Sequence, residues 1–479
     1  MLYLNYNRNA LNNDFTTLIN GVNDTASRIK EIISSKKNIL IIGHMDADGI
    51  ASSSVMARTI QREGGRFNLR IMSEMTIKEL ENISGEEYDY HILCEVGGGL
   101  SAEIDKHLND KWILIDHHEI PESELKHERV FNVWKYDVDG SKEVSATGLT
   151  YMISKSISSK NVDLSWLPII AALADRQDQG EGKALISLNK NILSEAVSEG
   201  LIEVSKDLSF YGRETRPIHF SISSTTNPFL SGLTGNSDAC LATLKSIGIE
   251  VKEGDRWRTI SDLSEDEKKK LVEAMVPFVT NNDSIDENLN GIISDVYVLK
   301  NEDPFTQLRD AREFGTLLNA CARIGKPSVG IAICMEERGE YLSAAIETSK
   351  EYRSTLSKYV RHLENNENIK DDEKLVYLSG KGVVHEYVTG TVASILSSNN
   401  KFKNKLLILG TDCNDGEFKI SARRPAEMDQ VNLGELLREA AVKCGGVGGG
   451  HSAAAGAKIP EEQVNNFLNS IQENLKDQK

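Results

Sequence analysis

The run Trp112-Ile113-Leu114-Ile115 leads straight into Asp116-His117-His118, and this junction constrains the fold more than any other stretch. A run that short, apolar and β-branched suits a strand buried on both faces of a parallel sheet. Sheets of that kind bind ligands at the carboxyl ends of their strands. An aspartate and two histidines are costly to bury without partners, so at a strand exit they point to a site and not to a core. The pattern recurs. Ile39-Leu40-Ile41-Ile42-Gly43 enters His44-Met45-Asp46-Ala47-Asp48-Gly49, and an alanine- and leucine-rich segment ends at Asp175-Arg176-Gln177-Asp178. Carboxylates and imidazoles delivered by three separate apolar segments indicate a metal site.

A chain of 479 residues exceeds one compact core and predicts two or three domains. No apolar run approaches the roughly 18–20 residues that span a bilayer, and the polar N-terminus lacks the charged and apolar regions of a secretory signal. Membrane attachment is therefore not expected. Cys94, Cys240, Cys321, Cys334, Cys413 and Cys444 are scattered without a CxxC pair, which excludes a disulfide framework or thiolate zinc site and fits a reducing cytoplasm. The net charge of −17 excludes a surface basic all over, so any polyanion must lie in a local basic groove aided by metal ions.

Apolar spacing predicts a helix over 14–33, then strands at 39–42, 67–72, 90–96, 112–115 and 130–133. Helices at 50–62, 145–156 and 164–174 are interspersed among them. Strands alternating with helices imply right-handed βαβ units and a mostly parallel sheet. Past residue 195 the pattern changes. Leu208–Pro228 is irregular, Ser264–Val279 begins with an acid-rich capped turn, and strands at 291–299 and 328–334 flank a helix over 305–324. A charged helix over 342–363 leads to the polar run Glu364-Asn365-Asn366-Glu367-Asn368, the best linker. The last hundred residues form a second α/β unit with strands at 374–378, 405–410 and 417–421 and helices at 389–396 and 433–442. It ends in the run from Gly445 to His451. The expected fold is α/β: an N-terminal parallel-sheet domain (1–195), a linker and inserted region (196–370), and a smaller C-terminal α/β domain (371–479), with a cleft between the two.

In His44-x-Asp46-x-Asp48, alternate residues of an extended exit loop project the same way and can converge. Gly49 lets the chain turn into the next helix, whose N-terminus favours an anion. Carboxylate and imidazole ligands without thiolate suit Mn²⁺ or Mg²⁺. Two such ions generate a hydroxide and clamp an in-line phosphoryl displacement. Near the C-terminus, Gly448-Gly449-Gly450 can bring backbone N–H groups close to phosphate, with His451 as a donor. Arg423 and Arg424 could grip phosphate bidentately, or could be a solvated pair on a surface strand.

These motifs together, HMDADG (44–49), the strand ending at Glu95, DHH (116–118), ADRQD (174–178) and GGGHSAAAG (448–456), resemble the DHH phosphoesterase superfamily. Within it they are most similar to the archaeal RecJ-like single-strand exonucleases related to the replication factor Cdc45. The resemblance spans nearly the whole chain. It implies a two-metal centre: His44, Asp46 and Glu95 on one ion, and Asp48, Glu95, His117 and Asp175 on the other. It also implies His118 facing the scissile phosphate and Asp116 orienting its neighbours. The family normally has Asp where this chain has Glu95, a longer side chain at the expected bridge. Leu318-Asn319-Ala320-Cys321-Ala322-Arg323 is similar to the Asn-Ala-x-Gly-Arg stretch of RecJ proteins. Asn319 and Arg323 share one helix face, suited to a nucleotide's phosphate and sugar.

The leading expectation is an exonuclease that uses two Mn²⁺ ions, or Mg²⁺, to hydrolyse single-stranded DNA or RNA to mononucleotides. A replisome scaffold like Cdc45, binding the GINS complex with weak or no catalysis, is the alternative. A small-substrate phosphatase acting on nanoRNA or phosphoadenosine phosphate needs no such long insert.

Overall fold

Strands with no polar alternation need cover on both faces, and in the computed structural model the N-terminal sheet receives it. Residues 15–225, 230–278, 292–365, 369–371, 374–399, 401–402, 404–413, 416–450 and 452–477 are described. In order come α1 (Thr16–Ser34), β1 (Asn38–His44), α2 (Ala47–Arg62), β2 (Arg66–Met72), α3 (Ile77–Ser84), β3 (Tyr90–Cys94), α4 (Ser101–Leu108), β4 (Trp112–Asp116) and β5 (Val130–Asn132). Then follow α5 (Ala146–Ile157), α6 (Trp166–Ala174) and α7 (Ser187–Ser198). Alternate strand residues feed two cores. Ile39, Ile41, Ile92, Ile113 and Ile115 pack under α1, α2, α5 and α6. Leu40, Ile42, Leu93, Trp112 and Leu114 pack under α3 and α4.

All pairings are parallel, in the order β2-β1-β3-β4-β5. Gly43 stands opposite Cys94, and Cys94 opposite Ile115. The next residues, His44, Glu95 and Asp116, therefore leave the sheet side by side. Position 95 is in the middle because β3 lies between β1 and β4.

The chain divides into two compact units, Met1–Glu347 and Thr348–Lys479. In the first, β6 (Ile202–Leu208) pairs antiparallel with β7 (Ile293–Leu299). Between them α8 (Ile218–Ser224), α9 (Ser237–Ser246) and α10 (Glu265–Met275) enclose a separate core that includes Phe210, Ile222, Leu244 and Leu271. The stretch expected to be irregular thus contains a helix. Further on come α11 (Ala311–Arg323), α12 (Pro327–Cys334) and α13 (Glu340–Glu364). Residues 328–334, expected as a strand, are helical. Pro327 occupies the first turn, where its missing N–H is harmless. Gly330 lets the helix lie against Ile50 and Cys321. A short apolar run carries no period that separates the two outcomes.

The second unit holds β8 (Ile369–Asp371), β9 (Leu375–Ser379), α14 (Thr389–Ser397), β10 (Leu406–Asp412) and β11 (Glu417–Arg423), then α15 (Leu433–Lys443), β12 (Val447–Gly450), β13 (Ala454–Pro460) and α16 (Val464–Asp477). Its mixed sheet runs β8-β9-β10-β11-β13-β12, with only β9 and β10 parallel. The expected linker begins where α13 ends, at Glu364, and residues 366–368 lie outside the described residues. Among the described residues no helix is long and apolar enough to cross a membrane.

Gly49 shows how tightly the first motif is built. A Cβ there would stand 2.2 Å from the His44 carbonyl oxygen. Replacing a glycine in a helix by alanine ordinarily stabilises. Here Gly49→Ala is expected to destabilise by ~1–3 kcal/mol through overpacking, read as a lowered midpoint in denaturant unfolding.

Candidate metal centre

The HxDxD segment parts where the helix begins. Asp46 is the N-cap of α2, with Oδ1 accepting from the Gly49 N–H at 2.9 Å and Oδ2 2.8 Å from His44 Nδ1. Asp48 already lies in the first helical turn and points elsewhere. It is fully buried against the N-terminus of α5, accepting from the Ala146 and Thr147 N–H groups at 2.8 Å and from the Thr147 hydroxyl at 2.5 Å. The three side chains therefore do not project together from an extended loop, because a helical turn rotates residue 48 away from residue 46.

Glu95 is the first residue beyond β3 and has a φ of 64°, a left-handed conformation disfavoured for a glutamate. Such strain costs on the order of 1–3 kcal/mol and persists where the surroundings impose it. Its N–H is held by the Ile115 carbonyl at 2.8 Å. Its Oε1 lies 3.7 Å from both His44 Nδ1 and His117 Nε2. Asp175 follows the last residue of α6, where Arg176 turns the chain at a φ of 59°.

His117 Nε2 is 3.6 Å from Asp48 Oδ2, 3.7 Å from Glu95 Oε1 and 3.7 Å from Asp175 Oδ2. These distances are too long for hydrogen bonds. Glu95 Oε2, His117 Nε2 and Asp175 Oδ2 are all buried without a hydrogen-bond partner. Ligands at about 2.1 Å from one divalent ion are roughly 3–3.5 Å apart, so small closures would bring these donors onto a shared cation. Three groups of possible ligands share Glu95: His44, Asp46 and Glu95; Asp48, Glu95, His117 and Asp175; and Glu95, His117 and His118. The donor set is nitrogen and oxygen only. Burial pushes the neighbouring Cys94 thiol up to about 12, so it is not an available thiolate. A hard divalent cation such as Mn²⁺ or Mg²⁺ fits this set.

A second layer aims the ligands. His117 Nδ1 donates to the Gly140 carbonyl at 2.7 Å, which leaves Nε2 as the nitrogen that faces the carboxylates. Trp134 Nε1 donates to the His117 carbonyl and Asn132 Nδ2 to that of His118, both at 2.9 Å. Asp116 Oδ1 accepts from the N–H groups of His117 and His118 at 2.7 and 3.0 Å and from His118 Nδ1 at 3.0 Å. The His118 side chain is 43% exposed, the most open of the group. Asn132, Trp134, Gly140 and Thr147 carried no motif signal, since each acts through backbone proximity that only folding creates.

Burial and mutual repulsion dominate the electrostatics. Burial and the charges of Asp48 and Glu95 hold the Asp175 carboxyl well above its ordinary value. Burial, Asp46 and Asp48 raise Glu95. Burial works against charge on His117 and His44, but the surrounding carboxylates prevail and raise both. Burial also opposes charge on Asp116, yet His118 and His117 bring its carboxyl down to about 2. The metal-free centre thus holds protons where a cation could sit.

The remaining expected site residues are dispersed. Asn319 Oδ1 accepts from the Ala47 N–H at 3.2 Å, and Arg323 acts on Asp46 electrostatically, so the face of α11 borders the first ligand group. In the second unit Arg423 is not a solvated cation. Its guanidinium donates to Ser394 Oγ and to the Ala422 and Gly390 carbonyls at 2.7–2.8 Å. Arg424 Nε donates to the Ser452 carbonyl at 3.0 Å. Gly449 and Gly450 lie in β12, an edge strand, where the glycines admit α15: a Cβ on Gly434 would be 2.2 Å from the Gly450 oxygen. Of Gly448, Gly449 and Gly450, only Gly449 has open space where a Cβ would stand. His451 lies outside the described residues. In the stretch after residue 208, Arg213 is buried in ion pairs with Asp207 and Glu214, and His219 is buried with its pKa lowered, mainly by desolvation.

Three domain models match the chain in order: the DHH family N-terminal domain at 38–174, the DHH-CID domain at 210–293 and the DHHA1 domain at 372–477. The chain belongs to the DHH superfamily. An uncharacterized protein of Methanocaldococcus jannaschii, MJ0831, is 28% identical over 463 residues, covering 94% of this chain and 96% of that protein. Cdc45 from Entamoeba histolytica superposes with a TM-score of 0.65 at 12% identity, over 95% of this chain and 98% of that one. RecJ from Thermus thermophilus, solved in complex with Mn²⁺, gives 0.59 at 14% identity over 96% of this DHH protein, which spans only 55% of the RecJ chain. At such identities the likeness concerns the fold, which is RecJ-like and Cdc45-related.

A raised pKa on His44 and His117 means that the folded, metal-free state holds protons that the unfolded state releases above the ordinary imidazole value of 6.5. Stability in EDTA is therefore expected to fall as pH rises above 6.5, and Mn²⁺ is expected to stabilise more strongly at pH 8.5 than at 6.5. Melting curves with EDTA and with Mn²⁺ check this; pH-independent curves would contradict it.

Proposed function

We propose that this DHH protein is a metal-dependent phosphodiesterase, an exonuclease acting on single-stranded DNA or RNA with two Mn²⁺ or Mg²⁺ ions. The observation that carries the proposal is His117 Nε2 facing carboxylates of Asp48, Glu95 and Asp175 at 3.6–3.7 Å, with buried polar atoms left unpaired. His44, Asp46 and Glu95 would hold one ion, and Asp48, Glu95, His117 and Asp175 the other. Bound there, the ions supply the Lewis acidity that makes water nucleophilic at neutral pH and offsets phosphodiester charge. The protein's own residues do the positioning. Asp48 is immobilised by the N-terminus of α5, and Asp116 fixes His118 through Nδ1, leaving Nε2 to donate to a non-bridging phosphate oxygen. Asn319 and Arg323 would approach the phosphate and sugar of a neighbouring nucleotide. In the second unit Gly449, Gly450, His451 and the free edge of β12 would offer donors to a phosphate. The Mn²⁺ seen with RecJ of the same fold supports the choice of ion.

A second reading has one specific observation behind it. The fold matches Cdc45 over nearly the whole of both chains, and the 208–292 region has a core of its own. A Cdc45-like scaffold would use that region to bind a partner such as GINS, with catalysis weak or absent.

Labelled single strands incubated with Mn²⁺, Mg²⁺ or EDTA separate the two. Metal-dependent release of mononucleotides supports the nuclease; partner binding without hydrolysis supports the scaffold. Asp48→Ala and His117→Ala are expected to lower the rate by more than about 100-fold with folding intact, beyond the loss typical of outer partners. Glu95→Asp is expected to keep or raise activity if residue 95 bridges the ions, and its complete loss would count against that role.

A further inference from the structure

The residue that aims His117 is itself held by a buried amide pair that belongs to no ligand group. Gln177 and Asn189 are both fully buried. Gln177 Nε2 donates to the Gly140 carbonyl at 3.0 Å, the same oxygen that accepts from His117 Nδ1 at 2.7 Å. A carbonyl has two lone pairs, and both are used here. Gln177 Oε1 accepts from Asn189 Nδ2 at 2.7 Å, which fixes which way the glutamine amide faces. Asn189 in turn donates its backbone N–H to the Glu143 carbonyl at 2.9 Å. The pair therefore clamps residues 140–144. That segment leads directly into Ser145, the N-cap of α5, whose Ala146 and Thr147 N–H groups grip Asp48.

We propose that Gln177 and Asn189 are positioning residues that set the tautomer of His117 and the stance of Asp48, and so the metal affinity of the centre. The inference rests on the metal reading above. A neutral imidazole has one donor and one acceptor. With Gly140 presenting a carbonyl oxygen, Nδ1 keeps the hydrogen of the neutral ring, and Nε2 is the nitrogen that can offer a lone pair to a cation among the three carboxylates. Gln177 Nε2 stands only 3.5 Å from His117 Nδ1. If that amide were free to turn, it could donate to Nδ1 and favour the opposite tautomer. Its bonds to Gly140 and Asn189 keep it from doing so. Stability alone does not account for the pair. Asn189 Oδ1 is buried without a partner, a cost that two apolar side chains of similar size would avoid.

The test measures Mn²⁺ dissociation constants calorimetrically, with melting curves in EDTA, for the full chain and for Gln177→Met, Gln177→Met/Asn189→Leu and Asp48→Ala. Both Gln177 variants are expected to bind Mn²⁺ about 10–100-fold more weakly. The double variant, with no stranded amide, is expected to melt no lower than the single one. Wild-type affinity in the double variant would overturn the proposal and leave the pair a packing feature. Asp48→Ala separates this from the underlying reading. Unchanged affinity in that variant removes the metal centre and the proposal together, whereas lost affinity there with wild-type affinity in the double variant overturns the positioning role alone.

Discussion

The repulsion among carboxylates gathered at one end of the N-terminal sheet is the constraint on which the rest depends. Asp46, Asp48, Glu95 and Asp175 meet around two imidazoles in a largely desolvated place. Like charges about 4 Å apart cost roughly 4 kcal/mol even at an effective dielectric near 20. A fold tolerates that only if each group is restrained and positive charge is supplied. The restraints are visible one by one. Asp48 sits on backbone donors of α5, Asp46 on those of α2, and Asp116 on the backbone of its two histidines. Protons on His44 and His117 supply charge in the free protein, and a divalent cation would displace them.

Sheet order converts this local chemistry into a bridging arrangement. Because β3 runs between β1 and β4, the residue after it faces His44 on one side and His117 on the other. A glutamate there reaches both through a left-handed backbone. Its carboxylate thereby stays within the cluster.

Much of the N-terminal architecture was legible in the chain, because strands buried on both faces are continuous apolar runs and their exits carry the polar residues. The same logic failed at 328–334, where seven apolar and small residues carried no period and packing on α2 and α11 chose a helix. The glycine run had a second reason that no pattern showed: at Gly448 and Gly450, as at Gly434 in α15, the missing Cβ lets α15 lie close on an edge strand. Arg423, read from the sequence as a phosphate contact or a solvated surface cation, donates to the Gly390 carbonyl of α14 in the fold.

What the sequence by itself determined is the inventory: which strands are buried, which exits hold carboxylates and imidazoles, and the absence of thiolates among them. Only the tertiary structure decided how the inventory is shared out. It turned Asp48 away from Asp46 by about half a helical turn, set Glu95 between two histidines, and brought Gly140, Gln177 and Asn189 behind His117. The physical reason is that a side chain's type is written locally, whereas the partner that fixes its tautomer, charge and aim comes from a distant segment. That meeting depends on strand order and helix packing, for which no local pattern in the chain is sufficient.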